Sequence, residues 1–80
     1  MTVAFVLINV RAGTDEAVAS ELRKVKEVRE VYEIYGAYDI LAKVEVEDMG
    51  RLKEVIDQSI RKIDGVKSTI TMIVLSKYAK

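Results

Sequence analysis

The chain has 80 residues, 13 basic and 13 acidic, with no His, Cys, Trp or Pro. That length makes one domain at most, residues 1–80. The missing residue types exclude an imidazole base, a Ser-His-Asp triad, a thiol nucleophile, a disulfide and a zinc or iron–sulfur centre. So small a domain has a thin stability margin, and with no covalent or metal staple it depends on a well-packed core or on self-association. Zero net charge argues against broad nucleic-acid binding, and four Tyr with one Phe are too few for a base-stacking platform.

Val3-Ala4-Phe5-Val6-Leu7-Ile8 is a continuous apolar run with a β-branched bias, which predicts a strand covered on both faces. The stretch Thr2 to Val10 has no basic leader and no small-residue cleavage site, so it reads as a strand and not as a signal peptide or membrane span. With no targeting segment in view, the expected location is the cytoplasm. Gly13-Thr14-Asp15-Glu16 combines a turn residue, cap candidates and first-turn acids, the signature of a helix start. Val18, Leu22 and Val25 then share one helical face.

Val28 to Tyr35 reads as a half-exposed strand, broken by Gly36-Ala37. From Ile40 onwards Ile40, Ala42, Val44 and Val46 alternate with Leu41, Lys43 and Glu45, a strand with one buried face. The short break makes these two strands a hairpin. Asp48 is the cap candidate of a second helix whose apolar stripe is Met49, Leu52, Val55, Ile56 and Ile63, with Ile60 at its edge. Asp57 and Arg61 are placed as an i,i+4 pair on the wet side, and Asp64-Gly65 stops the helix. Ser68 to Ser76 is the last strand, with Ile70, Met72 and Val74 on one face and Ile73 and Leu75 on the other.

The order βαββαβ predicts an α+β, ferredoxin-like domain: a four-stranded antiparallel sheet with both helices on one face. The first and last strands are apolar on both sides, so one of their faces would meet water in a monomer. A patch of that kind marks an interface, here sheet-to-sheet dimerisation.

Gly36-Ala37-Tyr38-Asp39 in the hairpin, the alternating strand after it, and Gly65-Val66-Lys67-Ser68-Thr69-Ile70-Thr71 leading into Val74-Leu75 resemble the ligand-binding domain of the Lrp/AsnC family. That domain is called RAM, for regulation of amino-acid metabolism, and the resemblance covers the whole chain. Family regulators carry an N-terminal helix-turn-helix domain, whereas this sequence begins at its first strand, so it resembles a stand-alone RAM module. The resemblance implies a free amino acid as effector, a homodimer assembling further into an octamer or decamer, and mixed assembly with full-length Lrp/AsnC regulators. It implies no cofactor, no metal and no direct contact with nucleic acid or membrane.

The candidate ligand-binding residues are Gly36, Ala37, Tyr38, Asp39, Ser68, Thr69 and Thr71. Asp39 can pair with an α-ammonium through a charge-assisted hydrogen bond, or simply bond its own turn. Gly36 and Ala37 let a carboxylate approach turn amides; equally, Gly36 supplies the positive φ of a hairpin. Tyr38 walls a pocket or packs across the sheet. Ser68, Thr69 and Thr71 line the last strand with hydroxyls, Thr69 and Thr71 on one face, or serve strand propensity alone. Asn9 satisfies a strand end or lines an interface. Tyr32 and Tyr35 read as sheet or interface residues, and Met49 and Met72 as core packing. An alternative class is a small dimeric ferredoxin-like enzyme of the cofactor-independent monooxygenase type, which needs an enclosed pocket between helices and sheet. No nucleophile–base set or carboxylate pair stands out to support it, so the chain is expected not to be an enzyme.

Overall fold

Alternating burial along two strands sets the architecture. In β1 (Thr2–Val10), Ala4, Val6 and Ile8 are fully buried while Val3, Phe5 and Leu7 are half-buried. In β3 (Ile40–Val46), Ile40, Ala42 and Val44 are fully buried, and Leu41, Lys43 and Glu45 face the other way. The computed structural model describes residues 1–80 and joins these with β2 (Val28–Glu33) and β4 (Val66–Ile73) into one antiparallel sheet of order β2-β3-β1-β4. Ala4, Val6 and Ile8 sit opposite Val44, Ala42 and Ile40 on one side and Ile73, Thr71 and Thr69 on the other.

Both helices lie on the face that carries Ala4, Val6 and Ile8. Helix α1 (Asp15–Leu22) buries Val18, Ala19 and Leu22. Its predicted cap is not formed: the Thr14 hydroxyl donates to the Arg11 carbonyl at 2.6 Å instead of accepting from the first turn. The helix ends at Leu22, so Val25 packs against the core from the turn that follows. Helix α2 (Met49–Glu54) does start as expected, with Asp48 Oδ1 accepting from the Arg51 amide at 2.8 Å. The chain then widens without a break into a π-helical segment, Val55–Ile60, closed by the Arg61 amide donating to the Ile56 carbonyl.

Burial along this stretch departs from the expected stripe at two places. Ile60, expected at the edge, is fully buried, whereas Met49, expected in the core, is half exposed. Ile63 packs against the core from the turn beyond the helix. Asp57 pairs with Arg61 at 3.6 Å and also with Lys53 at 3.2 Å. The last strand is offset from the expected span: it starts earlier, at Val66, and ends at Ile73, leaving Leu75 in an exposed, irregular tail. The second strand likewise ends at Glu33 and not at Tyr35.

The opposite face of the sheet has no helix over it. Phe5, Leu7 and Leu41 share it with Tyr32, Ile70 and Met72, the last three each nearly half exposed. Met72, expected in the core, therefore belongs to this open face. Around the apolar centre runs a neutral polar corner: Arg29–Glu45, Lys43–Glu45, and Glu30 opposite Lys43. The Tyr32 hydroxyl donates to Glu30 at 2.9 Å, and that bond to a carboxylate raises the phenol above its ordinary pKa.

Candidate functional site

The β1–β3 ladder stops at Ile8 opposite Ile40, and the six residues between β2 and β3 form the hairpin loop at that end of the sheet. The loop is closed by the Ile34 amide donating to the Asp39 carbonyl at 2.9 Å, and anchored by the Asp39 amide donating to the Ile8 carbonyl at 3.0 Å. The next donor on β1 is the Val10 amide. It donates to Asp39 Oδ2 at 2.8 Å, so a side-chain carboxylate takes the place of a ladder carbonyl and ends the sheet.

Asp39 is half-buried, and Oδ1 accepts no hydrogen bond from the protein. This differs from a turn residue that bonds only its own backbone: the carboxylate spans to the central strand. Gly36 has φ +143°, a conformation that favours glycine, and a Cβ built there would meet nothing within 4 Å. The turn thus needs the glycine, and the space above it is open. Ala37 is exposed, Tyr38 is half-buried, and Tyr35 projects fully into solvent.

The register divides the remaining candidates. Ser68 lies opposite Asn9, on the open face and in the same row as Asp39. Thr69 and Thr71 lie opposite Ile8 and Val6, on the helix face. One protomer therefore brings Gly36, Ala37, Tyr38, Asp39 and Ser68 to one end of the sheet, and turns Thr69 and Thr71 to its other side. The register shifts between Asn9 and Val10, where Lys67 is the extra residue on β4. Asn9 has a larger part here than its expected one, because its amide reaches the loop; the signal available in the sequence was a single amide within an apolar run.

A cleft of about 740 Å3 is at the opposite end of the sheet. Lys26, Glu27, Arg29, Glu45, Glu47 and Arg51 line much of it, and ion pairs join its principal charges: Glu27 with Arg51 and Arg29 with Glu45. The Arg51 guanidinium holds Glu27 below the ordinary 4.5 through a side-chain hydrogen bond, with Nε at 3.0 Å. The carboxylate form is thus favoured by folding, so the pair's contribution is complete above pH 4.5 and is lost as the pH falls through the lowered value. Between pH 7 and pH 3, the Tm of Glu27→Gln is expected to fall less than that of the native protein, and added salt narrows the difference because nearly half of the Arg51 side chain is exposed. A thermal melt series across that range checks both effects.

The layer between helices and sheet, where the enzyme alternative expects an enclosed pocket, is packed with Val6, Ile8, Leu22, Ile40, Val55 and Ile60. No three His, Cys, Asp or Glu residues come together as a metal site, and no helix is long and apolar enough to cross a membrane.

Residues 3–80 match the family profile described as the Lrp/AsnC ligand binding domain. The chain is similar to the HTH-type transcriptional regulator FL11 of Pyrococcus furiosus, 44% identical over 72 residues that cover 90% of this chain and 47% of that protein. It is also similar to a homocitrate synthase of Sulfolobus acidocaldarius, 45% identical over 74 residues covering 89% of this chain and 16% of the enzyme. Among solved structures, TTHA0845 from Thermus thermophilus aligns with a TM-score of 0.93 at 34% identity, with 100% of each chain covered. The chain spans about half the length of the regulators it matches. On this profile match and these relatives, the chain belongs to the Lrp/AsnC family, as its ligand-binding domain.

Proposed function

We propose that this domain binds a free amino acid at the hairpin end of the sheet, without contacting DNA or catalysing a reaction, and passes the bound state to transcriptional regulation of amino-acid metabolism. The observation that carries the reading is Asp39. Its carboxylate is fixed by the Val10 amide through Oδ2, and Oδ1 remains to accept an ammonium group. The exposed backbone around Gly36 and Ala37 and the hydroxyl of Ser68 lie at the same end and suit an α-carboxylate. A second support comes from the relatives. A DNA-binding regulator and a homocitrate synthase each match this chain over a limited part of their length. A module shared by two such different proteins suits effector sensing better than base reading or chemistry.

The open face of Phe5, Leu7, Leu41, Ile70 and Met72 pairs with the same face of a second copy, in line with the oligomerisation expected of the family. Tyr38 walls the site beside Asp39, and Thr69 and Thr71 complete it from neighbouring protomers of an octamer or decamer, since one protomer keeps the two threonines away from Asp39. Full-length regulators of the family are the proposed downstream partners, in the cytoplasm.

Thermal unfolding against each protein amino acid at millimolar concentration tests the reading. An amino acid present at ~100 times its Kd stabilises the fold by about 2.7 kcal/mol, a visible Tm shift in a domain of this size. Asp39→Ala is expected to abolish that shift while sedimentation still reports an intact dimer, because Asp39 lies outside the apolar centre of the open face. A native protein that no amino acid stabilises, or an Asp39→Ala protein that keeps the full shift, overturns it.

A further inference from the structure

We infer that Asn9 is the positioning residue of the hairpin site, holding Asp39 and the Ala37 carbonyl in the arrangement that presents Oδ1 outwards; this rests on the reading of Asp39 as the ammonium site. Asn9 is the sole amide in a strand that is otherwise apolar from Val3 to Val10. It is half-buried on the open face, opposite Ser68, one residue past the end of the β1–β3 ladder. Its side chain faces two acceptors, the Ala37 carbonyl oxygen and Asp39 Oδ2. The amide therefore turns its nitrogen towards them, at 3.1 Å and 3.3 Å.

The chemistry of an amide fits this place closely. Its NH2 group carries two hydrogens, one for each oxygen. With the Val10 amide at 2.8 Å, Oδ2 receives two donors from adjacent residues of the central strand. A carboxylate held at one oxygen by two donors has its rotamer set before any ligand arrives. The entropy of ordering it is then not charged to binding. The same side chain fastens the loop backbone at Ala37, beside the glycine that gives a ligand its open approach. Other residue types fail in specific ways. Aspartate would set a second carboxylate against Asp39 and a carbonyl, leucine has the right size and no donor, and serine offers one short donor.

The test compares the native protein with Asn9→Leu, Asn9→Ser and Asp39→Asn, each labelled with 15N. Two quantities are read: hydrogen exchange of the Val10 amide, and the affinity for whichever of the common L-amino acids shifts the native Tm. In Asn9→Leu the Val10 amide is expected to exchange faster and the amino acid to bind about tenfold more weakly, the worth of one hydrogen bond to a charged group. Asn9→Ser is expected to recover part of both. This graded recovery separates positioning from a general loss of stability, and it still decides the matter if Asn9→Leu does not fold. Native affinity and native Val10 exchange in Asn9→Leu and Asn9→Ser, with binding lost in Asp39→Asn, overturn the role of Asn9 and leave the site in place. Native affinity in Asp39→Asn overturns the site itself, and the role of Asn9 in ligand binding with it.

Discussion

Ile60→Ala is expected to cost about 2–5 kcal/mol of folding stability, the range for removing a fully buried large aliphatic side chain. The whole domain has on the order of 4–12 kcal/mol to lose, at roughly 0.05–0.15 kcal/mol per residue. Ile60 is where the π-helical segment turns its last residue into the core beside Val55 and Ile56. A cavity there cannot collapse easily, because Val6, Ile8 and Ile40 across the layer are themselves fully buried on the rigid centre of the sheet. Met49→Ala is the matched control. Met49 belongs to the same helical stretch but is half exposed, so its truncation is expected to stay within about 0.5 kcal/mol. Urea unfolding monitored by circular dichroism gives both values. A loss below about 1 kcal/mol at Ile60 would mean that its side chain does not fill the core as a fully buried isoleucine does.

Gly65→Ala is expected to destabilise by about 2–4 kcal/mol, from two causes that add. The residue has φ +102°, which strains any side chain, and a Cβ there would approach Thr14 Oγ1 to 2.8 Å and Val18 Cγ2 to 2.9 Å. Neither neighbour can give way. Val18 is fully buried, and the Thr14 hydroxyl is tied to the Arg11 carbonyl. Arg11 in turn donates its amide to the Gly65 carbonyl at 2.7 Å, so the turn before β4 and the entry to α1 are clamped face to face. Gly13→Ala separates the causes. Gly13 has φ +83° with nothing within 4 Å of a Cβ, so it carries the strain without the clash and is expected to cost about 1 kcal/mol. Equal losses at the two glycines would show that the close approach contributes nothing.

Much of the fold was legible because β1 is an unbroken apolar run and the residue pattern of β3 alternates. Ile40, Ala42 and Val44 announce a buried face with period two, and the register follows from that face. The Asp48 cap was legible because it is local chemistry. Ile60 and Met49 were misplaced for different reasons. Met49 is the first residue of α2, ahead of the widening, and the helix start leaves it half exposed. Ile60 closes a segment widened into a π-helix, where a stripe drawn at 3.6 residues per turn no longer follows the backbone, and no residue type signals that widening. Val25 and Ile63 were assigned to helices they lie outside, since an apolar residue in a turn looks the same in sequence as one in a last turn.

Of the candidate site, the hairpin was legible: Gly36 has the positive φ expected of a turn glycine, and Asp39 follows it at the turn. The long-range half was hidden. That the carboxylate bonds to Val10, that Asn9 reaches Ala37, and that Ser68 comes to lie opposite Asn9 all depend on which strands become neighbours. Pairings across so much chain leave no local pattern.

The position of β1 bears on how this chain reaches its native state. The first strand lies inside the sheet, and its neighbours are β3 and β4, the latter the final strand, so that Ala4 must find Ile73. Both meetings close long loops and must be reached before they repay their entropy. A topology of this kind folds more slowly than a helical bundle of equal length. Until β4 arrives, an unbroken apolar stretch from Val3 to Ile8 stands with an unpaired edge, the form most prone to misassociation. Refolding yield should therefore fall as protein concentration rises, and the vulnerable interval ends when the last strand docks.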